Sequence, residues 1–164
     1  MITNNAVLKT IFQRCLQNNL VITTIESCTG GLVSSEITNI PGSSKIFETG
    51  LITYSNESKV RLLGISEKFI KKYGAVSREV ISQMAINPVK NNKQKNQITI
   101  ATSGVAGPDQ SEQKPVGLVW LASYRDDNLM IKKINLGNLD RITIRQRTVF
   151  EALNLLEQNL KIEA

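Results

Sequence analysis

Residues 20–25 read LVITTI, an uninterrupted run of aliphatic and β-branched side chains without a charge. A strand wet on one face alternates apolar with polar residues, whereas a continuous run needs cover on both faces. That condition calls for helices above and below a sheet, and the neighbouring segments supply them. NAVLKTIFQRCLQ, ahead of the run, spaces Val7, Ile11, Phe12, Cys15 and Leu16 at helical intervals. GLVSSEITN, behind it, predicts a short helix ended by the Pro41–Gly42 turn. FETGLITY predicts a second strand, and SNESKVRLLG a helix capped by Ser55 or Asn56 and stopped at Gly64. SEKFIKKYG reads as a short capped helix, and SREVISQMAINPVKNN as a longer one bent at Pro88. QITIATSG is a third strand, and VGLVWLASY and LMIKKINL flank RDDN as an antiparallel hairpin. LDRITIRQRTVFEALNLLEQNLKI closes the chain as a long amphipathic helix, with Ile142, Val149, Leu153, Leu156 and Leu160 on its expected core side. The expected fold is α/β: three α/β/α layers around a mixed, mostly parallel sheet of about five strands.

Composition narrows the function classes. A chain of 164 residues suits one domain, here expected over 1–164. No apolar segment approaches the roughly 18 residues that span a bilayer, and MITNNAVLKTIFQRCLQNN lacks the layout of a signal peptide. Cys15 and Cys28 form neither a disulfide framework nor a metal-ligand spacing, so a cytoplasmic protein without a metal is expected. The net charge of +6 raises the question of nucleic acid. The cations are scattered, dense only at VKNNKQKN, which reads as an exposed helix end and loop. Three tyrosines, four phenylalanines and one tryptophan make a poor platform for stacking bases. Neither nucleic acid nor a membrane is an expected partner. Most restrictive of all, the chain has no histidine. Ser-His-Asp and Cys-His catalysis are excluded, so acid–base work near neutral pH falls to lysine, tyrosine, a carboxylate or the substrate.

Three small-residue loops follow predicted strands, where ligands of α/β sheets collect. In ESCTGG, Ser27 stands between a strand and a helix, where a hydroxyl can project beside the amides of a helix N-terminus. It can equally cap that helix, as can Thr29. Cys28 reads as a buried structural thiol, since no cation stands in CTGGLVSS to make it a thiolate. Gly30 and Gly31 permit close backbone approach, but they match neither a dinucleotide fingerprint nor a P-loop. In YSNESK, Lys59 is the candidate base for a serine, near Tyr54. To act so it must be neutral, which takes a fall of about three pKa units, or some 4 kcal/mol. Ser55, four residues before Lys59, is a second candidate serine but a natural N-cap. TSGVAGPD, with Thr102 and Gly104, has room to admit a ligand ring or serves as simple turn chemistry. Arg141 and Arg145 share a helix face suited to a phosphate or to solvent.

ESCTGGLVSSEITNIPGSS, GLITYSNESKVRLLGI, GAVS, SGVAGPD and KPVGLVW, in that order, resemble the C-terminal domain of the CinA proteins, a domain that also exists alone as nicotinamide-nucleotide amidohydrolase. The resemblance runs from about Leu8 to Leu160 and leaves no room for the N-terminal domain of full CinA, so the stand-alone form is expected. It implies hydrolysis of nicotinamide mononucleotide to nicotinate mononucleotide and ammonia, without a cofactor, by a homodimer. It also implies Ser27 and Lys59 as the catalytic pair with Tyr54 alongside. The binding set that goes with it is Cys28, Thr29, Gly30, Gly31, Ser44, Thr102, Gly104, Arg141 and Arg145. Three departures from the family pattern occur: an insertion before Asp140, Asn87-Pro88 within a helix, and a somewhat short GPDQSEQKPVG. The alternative is a non-catalytic nucleotide-binding or regulatory module linked to competence or DNA damage.

Overall fold

A computed structural model describes residues 5–91 and 96–162; most of the loop expected within VKNNKQKN lies outside the described residues. The run at 20–25 becomes β1 (Val21–Glu26), buried from its second residue onward. It pairs in parallel with β2 (Phe47–Ile52) on one side and with β3 (Gln97–Gly104) on the other. β4 (Leu118–Arg125) and β5 (Asn128–Asn135) follow in antiparallel, giving the order β2-β1-β3-β4-β5. The pairings thus divide evenly between the two kinds, although only β4 opposes the common strand direction.

Alternate side chains of the central strands feed two cores. Ile22, Ile98, Ile100, Val119 and Leu121 pack with α1 (Asn5–Gln17), α2 (Leu32–Thr38) and the long α6 (Arg141–Lys161). Ile25, Ala101, Ala122 and Tyr124 meet α3 (Asn56–Leu63), α4 (Glu67–Tyr73) and α5 (Arg78–Asn91) on the other face. This is the three-layer arrangement that LVITTI demands. The hairpin turns at Asp126 and Asp127, whose φ angles of 47° and 61° suit the two-residue turn that matches strand twist.

Local caps explain where the helices begin. Ser55 accepts the Ser58 amide at 3.0 Å and Asp140 the Thr143 amide at 2.9 Å, while Gly64 ends α3 at φ 67°. Pro88 lies inside α5, which continues to Asn91, so one helix runs across the proline as expected. One expectation needs correcting. Ile142 is not core: it is 65% exposed. It sits in the first turn of α6 at the rim of the buried arc, and Ile144 takes the core position instead. Among the described residues no helix is long and apolar enough to cross a membrane.

Candidate active site

The chain leaves β1 toward β2 on one side and later crosses to β3 on the other, so the strand order reverses at β1. Open α/β sheets bind ligands beyond the carboxyl ends of strands at such a reversal. A cleft of about 390 Å³ lies there, within the range of small-molecule sites. One wall comes from Ser27 and Cys28 after β1, and from Tyr54, Ser55, Asn56 and Lys59 after β2. Ala75, Val76 and residues 103–107, from the end of β3 into the loop that follows, make the other. Arg141 stands at the mouth, with Asp109, Ser111 and Glu112 of the β3–β4 loop.

Lys59 is the group that most needs explaining. The first turn of α3 carries it inward and leaves it 1% exposed, which is rare for lysine without a charged partner. Among the described residues no carboxylate comes within ion-pair distance of it. Its Nζ lies 2.7 Å from the Thr53 carbonyl, 3.4 Å from the Tyr54 carbonyl and 3.3 Å from Ser27 Oγ. Burial pushes its pKa below the ordinary lysine value, and the acidic groups of Cys28, Glu112 and Glu57 only partly oppose that. Two carbonyls can take the two N–H bonds of a neutral amine. The remaining lone pair then faces the serine hydroxyl.

The turn that carries Ser27 is held from two sides. Glu26, fully buried, accepts the amides of Gly31 (2.9 Å), Val33 (3.1 Å) and Ser34 (2.9 Å) and the Ser34 hydroxyl (2.7 Å). It therefore fills the N-terminal anion site of α2 from within the chain. Neither Ser27 nor Thr29 caps this helix; its cap is Gly31, without a side-chain bond. On the opposite side Arg145 donates from Nε to the Cys28 carbonyl (3.1 Å) and from Nη2 to the Thr29 carbonyl (2.9 Å). Gly30 and Gly31 have φ angles of 60° and 96°, and a Cβ on Gly30 would stand 3.3 Å from Arg145 Nη2. The positive φ favours glycine at both positions, and at Gly30 a side chain would crowd the arginine.

The remaining predicted residues divide. Cys28 and Gly104 line the cleft. Burial raises the Cys28 thiol to about 12, which makes it a poor nucleophile. Thr29 and Thr102 are sealed beneath the floor, their hydroxyls 2.8 Å apart. Tyr54 is more than half exposed, and its hydroxyl accepts from Arg141 Nη2 (2.7 Å) rather than facing Lys59; only its main-chain carbonyl reaches that lysine. Arg141 also donates to the Gly107 carbonyl at 2.8 Å. Arg145 is turned to the backbone and does not line the cleft. Ser44, in the 3-10 turn before β2, lies at the amino end of that strand and outside the cleft. Sequence reasoning passed over Glu26. Its signal was available: a carboxylate ending a buried strand must find donors, and a glycine pair leading into a helix offers them.

Residues 4–160 match the family described as CinA C-terminal domain. The chain belongs to that family. A CinA-like protein of Kosmotoga olearia is 43% identical over 145 residues, which are 88% of this chain and 34% of that one. A protein of Caldicellulosiruptor saccharolyticus, named for competence-damage induction, is 39% identical over 97% of this chain and 38% of its own. The CinA domain described here thus spans little more than a third of the curated relatives it matches. The crystal structure of competence/damage inducible protein CihA from Agrobacterium tumefaciens superposes with a TM-score of 0.85 at 33% identity, covering 98% of both chains. A CinA superfamily protein from Escherichia coli superposes at 0.88 with 28% identity, over 97% of this chain and 90% of that one.

Proposed function

We propose that this CinA domain is an amidohydrolase that converts nicotinamide mononucleotide to nicotinate mononucleotide and ammonia. The observation that carries the reading is the buried, uncharged-partner environment of Lys59 with Ser27 Oγ at 3.3 Å. In a protein without histidine, a lysine depressed by burial is the group able to take a serine proton near neutral pH.

Neutral Lys59 accepts the Ser27 proton as Oγ attacks the carboxamide carbon. The oxyanion is met by the Cys28 amide, which is next to the nucleophile and on the cleft wall. The Gly30 amide is engaged by the Ser27 carbonyl at 3.1 Å, and Thr29 is fully buried, so neither is the donor. Collapse breaks the C–N bond, and the proton passes from Lys59 to the departing nitrogen to give ammonia. Water, deprotonated by the same lysine, then hydrolyses the ester and restores Ser27. Arg141 at the mouth is the cation placed for the 5′-phosphate, and Ala75, Val76, Val105 and Ala106 offer a small apolar wall to the ring.

The test is ammonia release from nicotinamide mononucleotide by the purified protein. Turnover supports the reading; saturable nucleotide binding without ammonia would favour the non-catalytic alternative. Two further results are expected. Because the reactive form of Lys59 is unprotonated, kcat/KM should rise with pH along a limb whose midpoint lies below the ordinary lysine value of about 10.4. A limb centred at or above that value contradicts a depressed lysine. Arg141→Gln should raise KM about 10- to 100-fold with kcat changed less than about threefold, as loss of an exposed phosphate contact made equally in ground and transition states would do. An unchanged KM would remove Arg141 from the binding set.

A further inference from the structure

The spacing of Arg141 and Arg145 suggests two phosphate ligands, but the two side chains do different things. Arg141 faces the cleft; Arg145 holds two consecutive carbonyls of the nucleophile turn. A trans peptide sets its C=O and N–H in opposite directions, so anchoring a carbonyl also aims the amide across the same bond. With the Cys28 and Thr29 carbonyls both drawn to one guanidinium, the Thr29 and Gly30 amides across those bonds point away from it. The Gly30 amide meets the Ser27 carbonyl at 3.1 Å. That bond in turn fixes the Ser27–Cys28 peptide and sends the Cys28 amide the other way. Glu26 locks the far end of the turn through Gly31, Val33 and Ser34. Among the described residues, the Cys28 amide has no partner on another residue's backbone, its own thiol being the group beside it, and Cys28 lines the cleft next to Ser27.

We propose that Arg145 is a positioning residue, whose hold on the Cys28 and Thr29 carbonyls keeps the Cys28 amide aimed as the oxyanion donor for Ser27. It touches no reacting atom. This role rests on Ser27 as the nucleophile, and it goes further by separating two arginines of one helix face into substrate binding and turn geometry.

Two readouts test it. In steady-state ammonia release, Arg145→Gln should lower kcat about 10²-fold, the effect of a misplaced oxyanion donor, with KM within about threefold. Arg145→Lys, which keeps the charge but has a single donor nitrogen in place of the fork, should recover part of the loss. The second readout needs no carboxamide: diisopropyl fluorophosphate reacts with an activated serine by forming Oγ–P, breaking P–F and giving the serine proton to Lys59 as fluoride leaves. Intact mass should show Ser27 labelled in the wild type and labelled about 10²-fold more slowly in Arg145→Gln. Thermal melting confirms that both variants are folded, and Arg145→Lys serves if Arg145→Gln is not. Wild-type labelling with no ammonia release would remove the substrate assignment, yet slow labelling of the variant would still support Arg145. Labelling of Arg145→Gln at the wild-type rate, or a loss seen only in KM, would overturn the proposal. A wild type that neither labels nor turns over would take away the nucleophile and the proposal together.

Discussion

Lys59→Met is expected to lower kcat for ammonia release about 10³- to 10⁴-fold while leaving the protein folded. Methionine matches the lysine stem in length and suits a site that is 1% exposed. It keeps the packing and removes the amine that faces Ser27. The Thr53 carbonyl loses a donor at 2.7 Å, which costs about 1–3 kcal/mol. Against this, the protein no longer has to bury a protonatable amine, so the melting temperature should stay within a few degrees of wild type. Lys59→Arg is the sharper control. A guanidinium can still donate to the carbonyls but remains protonated at any working pH, so it cannot accept the serine proton. Activity should be lost in this variant too. A Lys59→Met protein with kcat within tenfold of wild type would mean that the lysine only shapes the cleft.

Glu26→Ala is expected to produce the largest stability change in the domain. The carboxylate is fully buried and accepts from three amides and one hydroxyl. Its removal leaves the half-buried first turn of α2 without its side-chain acceptor. Each amide left unsatisfied costs about 1–3 kcal/mol where it is buried, so the set costs about 3–5 kcal/mol. For a chain of this length that corresponds to a fall in melting temperature of about 6–20 °C. Glu26→Gln keeps one oxygen but turns an NH₂ toward amides, and should lose part of the same stability. Thermal unfolding followed by circular dichroism measures both. A Glu26→Ala protein melting within about 2 °C of wild type would show that α2 is capped some other way. The same substitution should also slow turnover, since Glu26 and Arg145 hold opposite ends of the turn that carries Ser27.

The layers of the fold were legible because burial on both faces leaves a direct mark on a strand: LVITTI and QITIATSG admit few surroundings besides helices above and below. The hairpin was legible because Asp126 and Asp127 accept the positive φ of a two-residue turn. Ile142 was misread because helical periodicity fixes a face but not how far the neighbouring layer extends, and the first turn of α6 passes the rim of the core. The site was legible where chemistry is scarce. With no histidine, Lys59 stood out as a base, and the structure brings it to Ser27. Destinations set by tertiary contact were not legible. Nothing in YSNESK distinguishes the Tyr54 hydroxyl, which meets Arg141, from the Tyr54 carbonyl, which meets Lys59. Nor does helical spacing tell that Arg145 will meet backbone while Arg141, one turn away, faces the cleft. Ser44 was drawn into the binding set by its place in a motif, yet chain proximity to ESCTGG does not put it at the same end of the sheet.

The central claim is that Ser27 becomes acylated, and trapping the ester tests it most directly. Protein mixed with nicotinamide mononucleotide and quenched in acid within the first turnovers should carry an adduct with the mass of the substrate less ammonia, located on the peptide containing Ser27 and absent from Ser27→Ala. Ammonia released at the wild-type rate by Ser27→Ala, or an adduct carried on Cys28, would contradict the account.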